Sequence, residues 1–383
     1  MSAKSSESTW SVFIDLFLSG NLNDTDVNDY SLEYLGIITL GDKVGNKQTR
    51  ASYPKDLVAT TNKHLSMAKQ DVFLKFDSKY NTFFSALEVS VDNCHTVLLR
   101  NSLAVKNTND PSLSFCYEYF MIFVLHVFTK CGLKRISKSE SAYNFRVIFR
   151  FMDVVVDALP QCEFMPGEVR LQAIKDELER QDLSTASYYN ADGIIYDLIS
   201  GVELMLLETS GPFGNNDIKR ETKDYVKAAY GLLAMLHKIA HKYVYADIDI
   251  FKQLKVCFVH AANNKIRLWA FCLVSKQLYI LNRIDSSVLP TDSSNAENDL
   301  KGMTNLFWKL KQTIEEATET LKKIKESHEK NKIFAEENPD SQIEQLISYL
   351  VEVAEVKLSS QISYAEDIYI NSSPIIPDSL DFD

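Results

Sequence analysis

The chain has 383 residues and a formal net charge of −11, with 45% hydrophobic and 11% aromatic content. That length exceeds one average domain, and that much apolar material excludes general disorder. The six cysteines are scattered with no CxxC pair, which excludes a disulfide framework or thiolate zinc site and fits reduced thiols in an intracellular protein, cytoplasmic or nuclear.

The acidic balance weighs against nucleic acid as a partner, but it is unevenly spread. Between Asn190 and Arg283 there are twelve Lys plus Arg against nine Asp plus Glu, a local +3, whereas Tyr364 to Asp383 carries five acids and no base. The start, "MSAKSSESTWSVFIDLFLSG", is broken by Asp15 and makes a poor signal peptide. The most apolar window, "YFMIFVLHVF", is too short for a membrane crossing, so no membrane association is expected.

Residues 1–105 read as a mixed region. "TTNKHLSMAK" and "KYNTFFSALEVS" predict helices, "HTVLLRNSLAV" a strand, and the polar stretch 20–50 a loop-rich segment. From Asp110 the pattern is helical. "SLSFCYEYFMIFVLHVFTKCG" is apolar nearly all round and is expected to stop at Gly132. "SKSESAYNFRVIFRFMDVVVDALP" opens with serines suited to an N-cap and ends at Pro160, with Phe145, Ile148, Phe149, Met152, Val155 and Val156 as its stripe. Glu140 falls in its first turn, where the helix dipole alone would account for it. "GEVRLQAIKDELERQ" predicts a shorter helix.

In "ADGIIYDLISGVELMLLETSG", Asp192 has a turn-like setting and "VELMLLET" reads as a buried strand carrying Glu208. A long helix follows from about Lys219 to Tyr243, with Lys219, Lys223 and Lys227 recurring every four residues along one border of its apolar stripe. "KVCFVHAANNKIRLWAFCLVSKQLYILNRI" reads as three strands turning at "AANN" and "SKQ". This order predicts an α/β or α+β fold with a mixed sheet flanked by helices. Beyond a linker at 289–300, Met303, Phe307, Leu310, Ile314, Ala317, Leu321, Ile324 and His328 keep 4-3 spacing. Two readings stand for that helix: packing on the chain's own body, or a coiled-coil arm over 301–330 that binds a partner protein or a second copy. A second helix at about Ser341 to Leu358 would fold back as a hairpin within a helical region 301–360, and 361–383 reads as an acidic flexible tail.

GxGxxG, GxxxxGK[ST], GxSxG and HExxH are all missing. His237 and His241 have chelating i, i+4 spacing without a third ligand and read as core-edge histidines. The carboxylates remain. Cutting a phosphodiester with Mg²⁺ (or Mn²⁺ in its place) needs hard oxygen ligands converging on the ion, with a lysine near the attacking water.

In its order of elements, the region 106–288 resembles the PD-(D/E)XK nuclease fold, a restriction-endonuclease-like core, and in particular its divergent members carried by many fungi, some near mobile elements or in Crinkler-type effectors. The resemblance is carried by "SESAYNFRVIFRFMDVVVDAL", "ADGIIYDLISGVELMLLETSG", "KDYVKAAYGLLAMLHKIAHKY" and "KVCFVHAANNKIRLWAFCL". It implies Glu140 as the helix acid, Asp192 as the acid before the strand and Glu208 as the strand acid, these three holding the metal. The position two after Glu208, where the family has lysine, is Ser210, and Lys219 or Lys223 on the next helix would take over that role. The function implied is Mg²⁺-dependent cleavage of nucleic acid. The alternative is a nuclease-fold scaffold without catalysis that acts through its C-terminal helices.

Overall fold

The computed structural model describes residues 32–40, 96–100, 102, 105, 107, 110–129, 131–182, 185, 189–291, 296–339 and 343–351. After a 3₁₀ turn at Leu32–Leu35 comes β1 (Ile37–Leu40). Then follow α1 (Pro111–Ile122), which runs on as π-helix over Phe123–Val127, and α2 (Gly132–Ile136). The next helical run, α3, comprises Glu140–Tyr143, a π-helical Asn144–Ile148 and Phe149–Asp157. After it come β2 (Cys162–Arg170), α4 (Gln172–Arg180), β3 (Asn190–Asp197), β4 (Val202–Ser210) and α5 (Ile218–Lys242). The chain continues with α6 (Ile248–Phe251), β5 (Val256–Ala262), β6 (Lys265–Ser275), β7 (Leu278–Val288) and α7 (Ala296–Glu337).

The strands form one mixed seven-stranded sheet in the order β1-β7-β6-β5-β4-β3-β2. β2, β3 and β4 make an antiparallel meander; α5 then crosses over to place β5 parallel to β4, and β6 and β7 return antiparallel. β1 adds to β7 in parallel. β5 is the middle strand, and β4 beside it is interior too, with Leu204 to Leu207 all at 0% exposure. A strand covered on both faces reads as a continuous apolar run rather than an alternation, which is why "VELMLL" is legible. α5 covers one face, and α1, α3 and α7 pack on the other side. Adjacent β4 residues reach the two layers: Thr209 bonds Asn144 on α3, and Ser210 bonds Asp224 on α5.

The mixed sheet flanked by helices follows the sequence reading, and so do β5, β6 and β7. The turns fall at the expected places, with Asn263 (φ 55°) and Gln277 (φ 57°) in the left-handed region. Of the two readings of the C-terminal helix, the first is realised. Met303, Phe307, Leu310, Ile314, Ala317, Leu321 and Ile324 are all buried in the common core, and Phe307 lies 5.4 Å from the Tyr119 ring and 5.0 Å from Phe151.

Elsewhere the structure differs. β1 lies inside the stretch read as loops, and residues 96–100 are helical where a strand was expected. Gly132 does not stop the first helix but opens α2. A Cβ there would sit 2.1 Å from the Val127 carbonyl, so the glycine serves a close backbone approach. Phe145, placed in the buried stripe by its spacing, is 64% exposed, and Asn144 is buried at 4% instead. The π segment carries an extra residue per turn and shifts the phase of the helix, turning Asn144 inward. Residues 167–170 belong to β2 rather than to the helix read there, and Asp192 lies within β3 rather than in a turn before it. α7 begins at Ala296, inside the segment read as a linker. Of the expected 341–358 helix, the described part holds only the 3₁₀ turn Leu346–Tyr349. The helices at "TTNKHLSMAK" and "KYNTFFSALEVS" and the acidic tail lie outside the described residues. Among the described residues no helix is long and apolar enough to cross a membrane.

Candidate active site: carboxylates at one end of the central strands

β4 enters the core at Val202 and brings Glu208 to its far end, while the antiparallel β3 brings Asp192 to the same end. Gly193 pairs with Leu207, so the next pair outward is Asp192 with Glu208. Residues directly opposite on antiparallel strands share a face, with Cβ atoms about 5 Å apart. Two carboxylates in that relation repel each other, and burial adds to the effect.

Glu208 is 3% exposed. Its Oε1 accepts a hydrogen bond from the Tyr189 hydroxyl at 2.5 Å, and Lys227 Nζ from α5 lies 3.3 Å from the carboxylate. The same ammonium donates to the Asn190 carbonyl at 2.9 Å and lies 4.3 Å from the Tyr189 ring centre. Burial pushes the Glu208 carboxyl well up, with Asp224 and Asp192 adding to the rise and Lys227 opposing it. Asp192 accepts from the Thr209 amide at 2.6 Å. Its pKa is raised to about 7 by burial and by the charges of Glu140 and Asp224, against the pull of that amide.

Two more acids close the cluster. Asp224 on α5 accepts from the Ser210 hydroxyl at 2.7 Å, and that hydroxyl lies 2.9 Å from Nε2 of His260. With Ser210 donating to Asp224, His260 donates through Nε2. Burial raises the Asp224 pKa and lowers that of His260 well below its ordinary value, so His260 stays neutral. Glu140 reaches the site because the Ser139 side chain caps α3, accepting from the Ala142 amide at 3.1 Å, and sets the helix start beside the end of β4. Its Oε2 accepts from the Gly211 amide at 2.9 Å and pairs with Arg220.

The sequence-predicted acids Glu140, Asp192 and Glu208 are therefore brought to one end of the sheet. Lys219 and Lys223 are not brought to Glu208: both are exposed on the outer side of α5, and Lys227, one turn further on, reaches inward instead. The four-residue recurrence of these lysines was visible in the sequence. The signal that singles out Lys227 is its i, i+3 relation to Asp224, which puts the two on one face. Tyr189, Asp224, Arg220 and His260 carried no signal short of the strand pairing. His237 and His241 do not converge: His237 is buried, with Tyr279 Oη at 3.2 Å and Glu177 at 3.4 Å, and His241 is exposed.

All four acids are hard oxygen donors of the kind Mg²⁺ takes. Among the described residues, however, no three His, Cys, Asp or Glu side chains are arranged to surround one ion. Each already has a protein partner: Lys227 and Tyr189 at Glu208, the Thr209 amide at Asp192, Arg220 at Glu140 and Ser210 at Asp224. A cavity of about 300 Å³ lies at the other end of these strands, against Asp197, Lys242, Tyr243 and Lys325, and includes none of Glu140, Asp192, Glu208 and Asp224. Comparison of the chain with protein-family models, with curated proteins and with solved structures gives no match.

Proposed function

We propose that the chain binds nucleic acid and hydrolyses phosphodiester bonds with Mg²⁺ at Asp192 and Glu208, on a nuclease-like core. One observation carries this reading. Two acids face each other at the end of an antiparallel pair, and a crossover helix above them delivers a lysine to the second acid before the chain returns in parallel. On this reading Lys227 would take the role expected of Lys219 or Lys223, which Ser210 leaves vacant.

Asp192, Glu208 and Glu140 would hold the ion. When bound, it would supply positive charge on a phosphate oxygen and lower the pKa of a coordinated water. Lys227 would orient that water or the phosphate from its place beside Glu208. The exposed Lys219 and Lys223 would run along the phosphate backbone and contribute affinity without sequence preference. The free, mostly buried cysteines among the described residues fit an intracellular setting.

A second reading is favoured by the burial of Glu208, both of whose oxygens already have partners: the fold is kept as a scaffold and catalysis is lost. Incubation of mixed DNA and RNA with Mg²⁺ or Mn²⁺ separates the two. Cleavage by the native chain that disappears in Asp192→Asn and Glu208→Gln, both still folded at the assay temperature, supports hydrolysis. No cleavage by any version with either cation supports the scaffold.

A further inference from the structure

The turn between β3 and β4, the last turn of α5 and the second half of α7 enclose the cavity of about 300 Å³, a volume at the small end of ligand sites. Although the whole chain is acidic, Lys242, Lys322 and Lys325 line this cavity against two carboxylates, Asp197 and Glu329. Asp197 is already occupied, since it accepts from the amide and the hydroxyl of Ser200 at 2.6 Å each. Lys242 reaches the Ser200 carbonyl and Lys322 pairs with Glu319 at 2.7 Å. Lys325 has no hydrogen-bond or ion-pair partner among the described residues. His328, one turn further along α7, accepts from the Tyr245 amide at 3.1 Å through Nδ1, so its proton is on Nε2. The rings of Tyr243 and Tyr245, each 5.8 Å away, hold the imidazole in place, and its Nε2 has no partner among the described residues. Buried Tyr243 and Leu321 add apolar wall, and Ile199 stands 69% exposed at the edge.

We propose that this cavity binds a small phosphate monoester. Its phosphate accepts from Lys242, Lys325 and Nε2 of His328, with Lys322 adding charge, and its organic part lies against Tyr243, Leu321 and Ile199. Ammonium groups bind phosphate as point charges, and the fixed imidazole donor adds direction. A phosphate monoester, with a charge approaching −2 and three acceptor oxygens, answers this surplus of donors better than a single carboxylate does. The size of the cavity admits a monomer rather than a strand. The site lies at the opposite end of the sheet from the acid cluster and does not depend on the metal reading.

The test is calorimetric titration of ribose 5-phosphate, adenosine 5′-monophosphate, adenosine and inorganic phosphate into the full chain, with thermal melting as a folding control. At least one ester is expected to bind about tenfold more tightly than adenosine or inorganic phosphate. Lys325→Gln, which breaks no contact within the fold, is expected to weaken that binding about fivefold. Lys330→Gln, on the same helix but outside the cavity, is expected to leave it unchanged. Tighter binding of the nucleotide than of the sugar phosphate supports a nucleotide ligand, and equal affinities support a sugar phosphate. No binding of either ester at about 10 mM, or equal affinity in the native chain and in folded Lys325→Gln, overturns the site. Inorganic phosphate binding as tightly as both esters overturns the assignment of an ester.

Discussion

Asp192 and Glu208 face each other across β3 and β4, and burial is the first cause that pushes both carboxyls up from their ordinary values. Between about 4, the ordinary aspartate value, and about 7, the folded chain keeps a proton on Asp192 that the unfolded chain has lost. Stability conferred by that proton is present at low pH and is lost as pH rises through this window. Asp192→Asn keeps an acceptor for the Thr209 amide and never ionises. It is therefore expected to melt higher than the native chain at pH 8, with the difference closing toward pH 5 in a melting series. Lys227 works in the opposite sense, as the counter-charge of a buried acid. Lys227→Met should cost about 2–4 kcal/mol at pH 8 in denaturant unfolding, and Glu208→Gln in the same chain should restore much of it. The three acids were legible because strand ends and helix starts mark the sequence. Lys227 rather than Lys219 or Lys223 stands beside Glu208, and this was not legible, because spacing places residues on a border of the helix without saying which turn meets the strand below.

At the scale of elements, α5 holds the site together through its fit on β4. Gly231 allows that fit: a Cβ there would lie 2.7 Å from the Tyr189 ring, 2.9 Å from Leu206 and 3.0 Å from Leu171. Alanine is the better helix former by about 1 kcal/mol. Gly231→Ala is nonetheless expected to destabilise by about 1–3 kcal/mol in denaturant unfolding, because the ring that must move is the one that bonds Glu208. Elements with an unmixed signal were readable, among them the continuous apolar run of β4, the hairpins β5 to β7 and the long periods of α5 and α7. The misreadings share a physical cause, in that tertiary pairing overrode local pattern. β1 is a four-residue strand that exists by pairing with β7, far along the chain. β2 carries Pro166 and Gly167 with a register shift in its ladder and so lacks an alternating pattern, while Phe145 was misplaced by a π turn that no 3.6-residue period anticipates.

For the whole molecule, the 42-residue α7 spends its apolar stripe on the core. Phe115, Tyr119, Phe151, Phe307 and Trp308 form a continuous run of ring contacts from α1 through α3 to α7. Phe307→Ala should therefore cost about 3–5 kcal/mol and lower the melting temperature of the entire chain in a single transition. An independent arm would melt separately and leave the sheet unaffected. The central claim is that the acids at the end of β3 and β4 form a cation site, and anomalous diffraction from Mn²⁺-soaked crystals tests it most directly. The account predicts a peak between the carboxylates of Asp192 and Glu208. Mn²⁺ absent from that end of the sheet, with Lys227 still on Glu208, would contradict it.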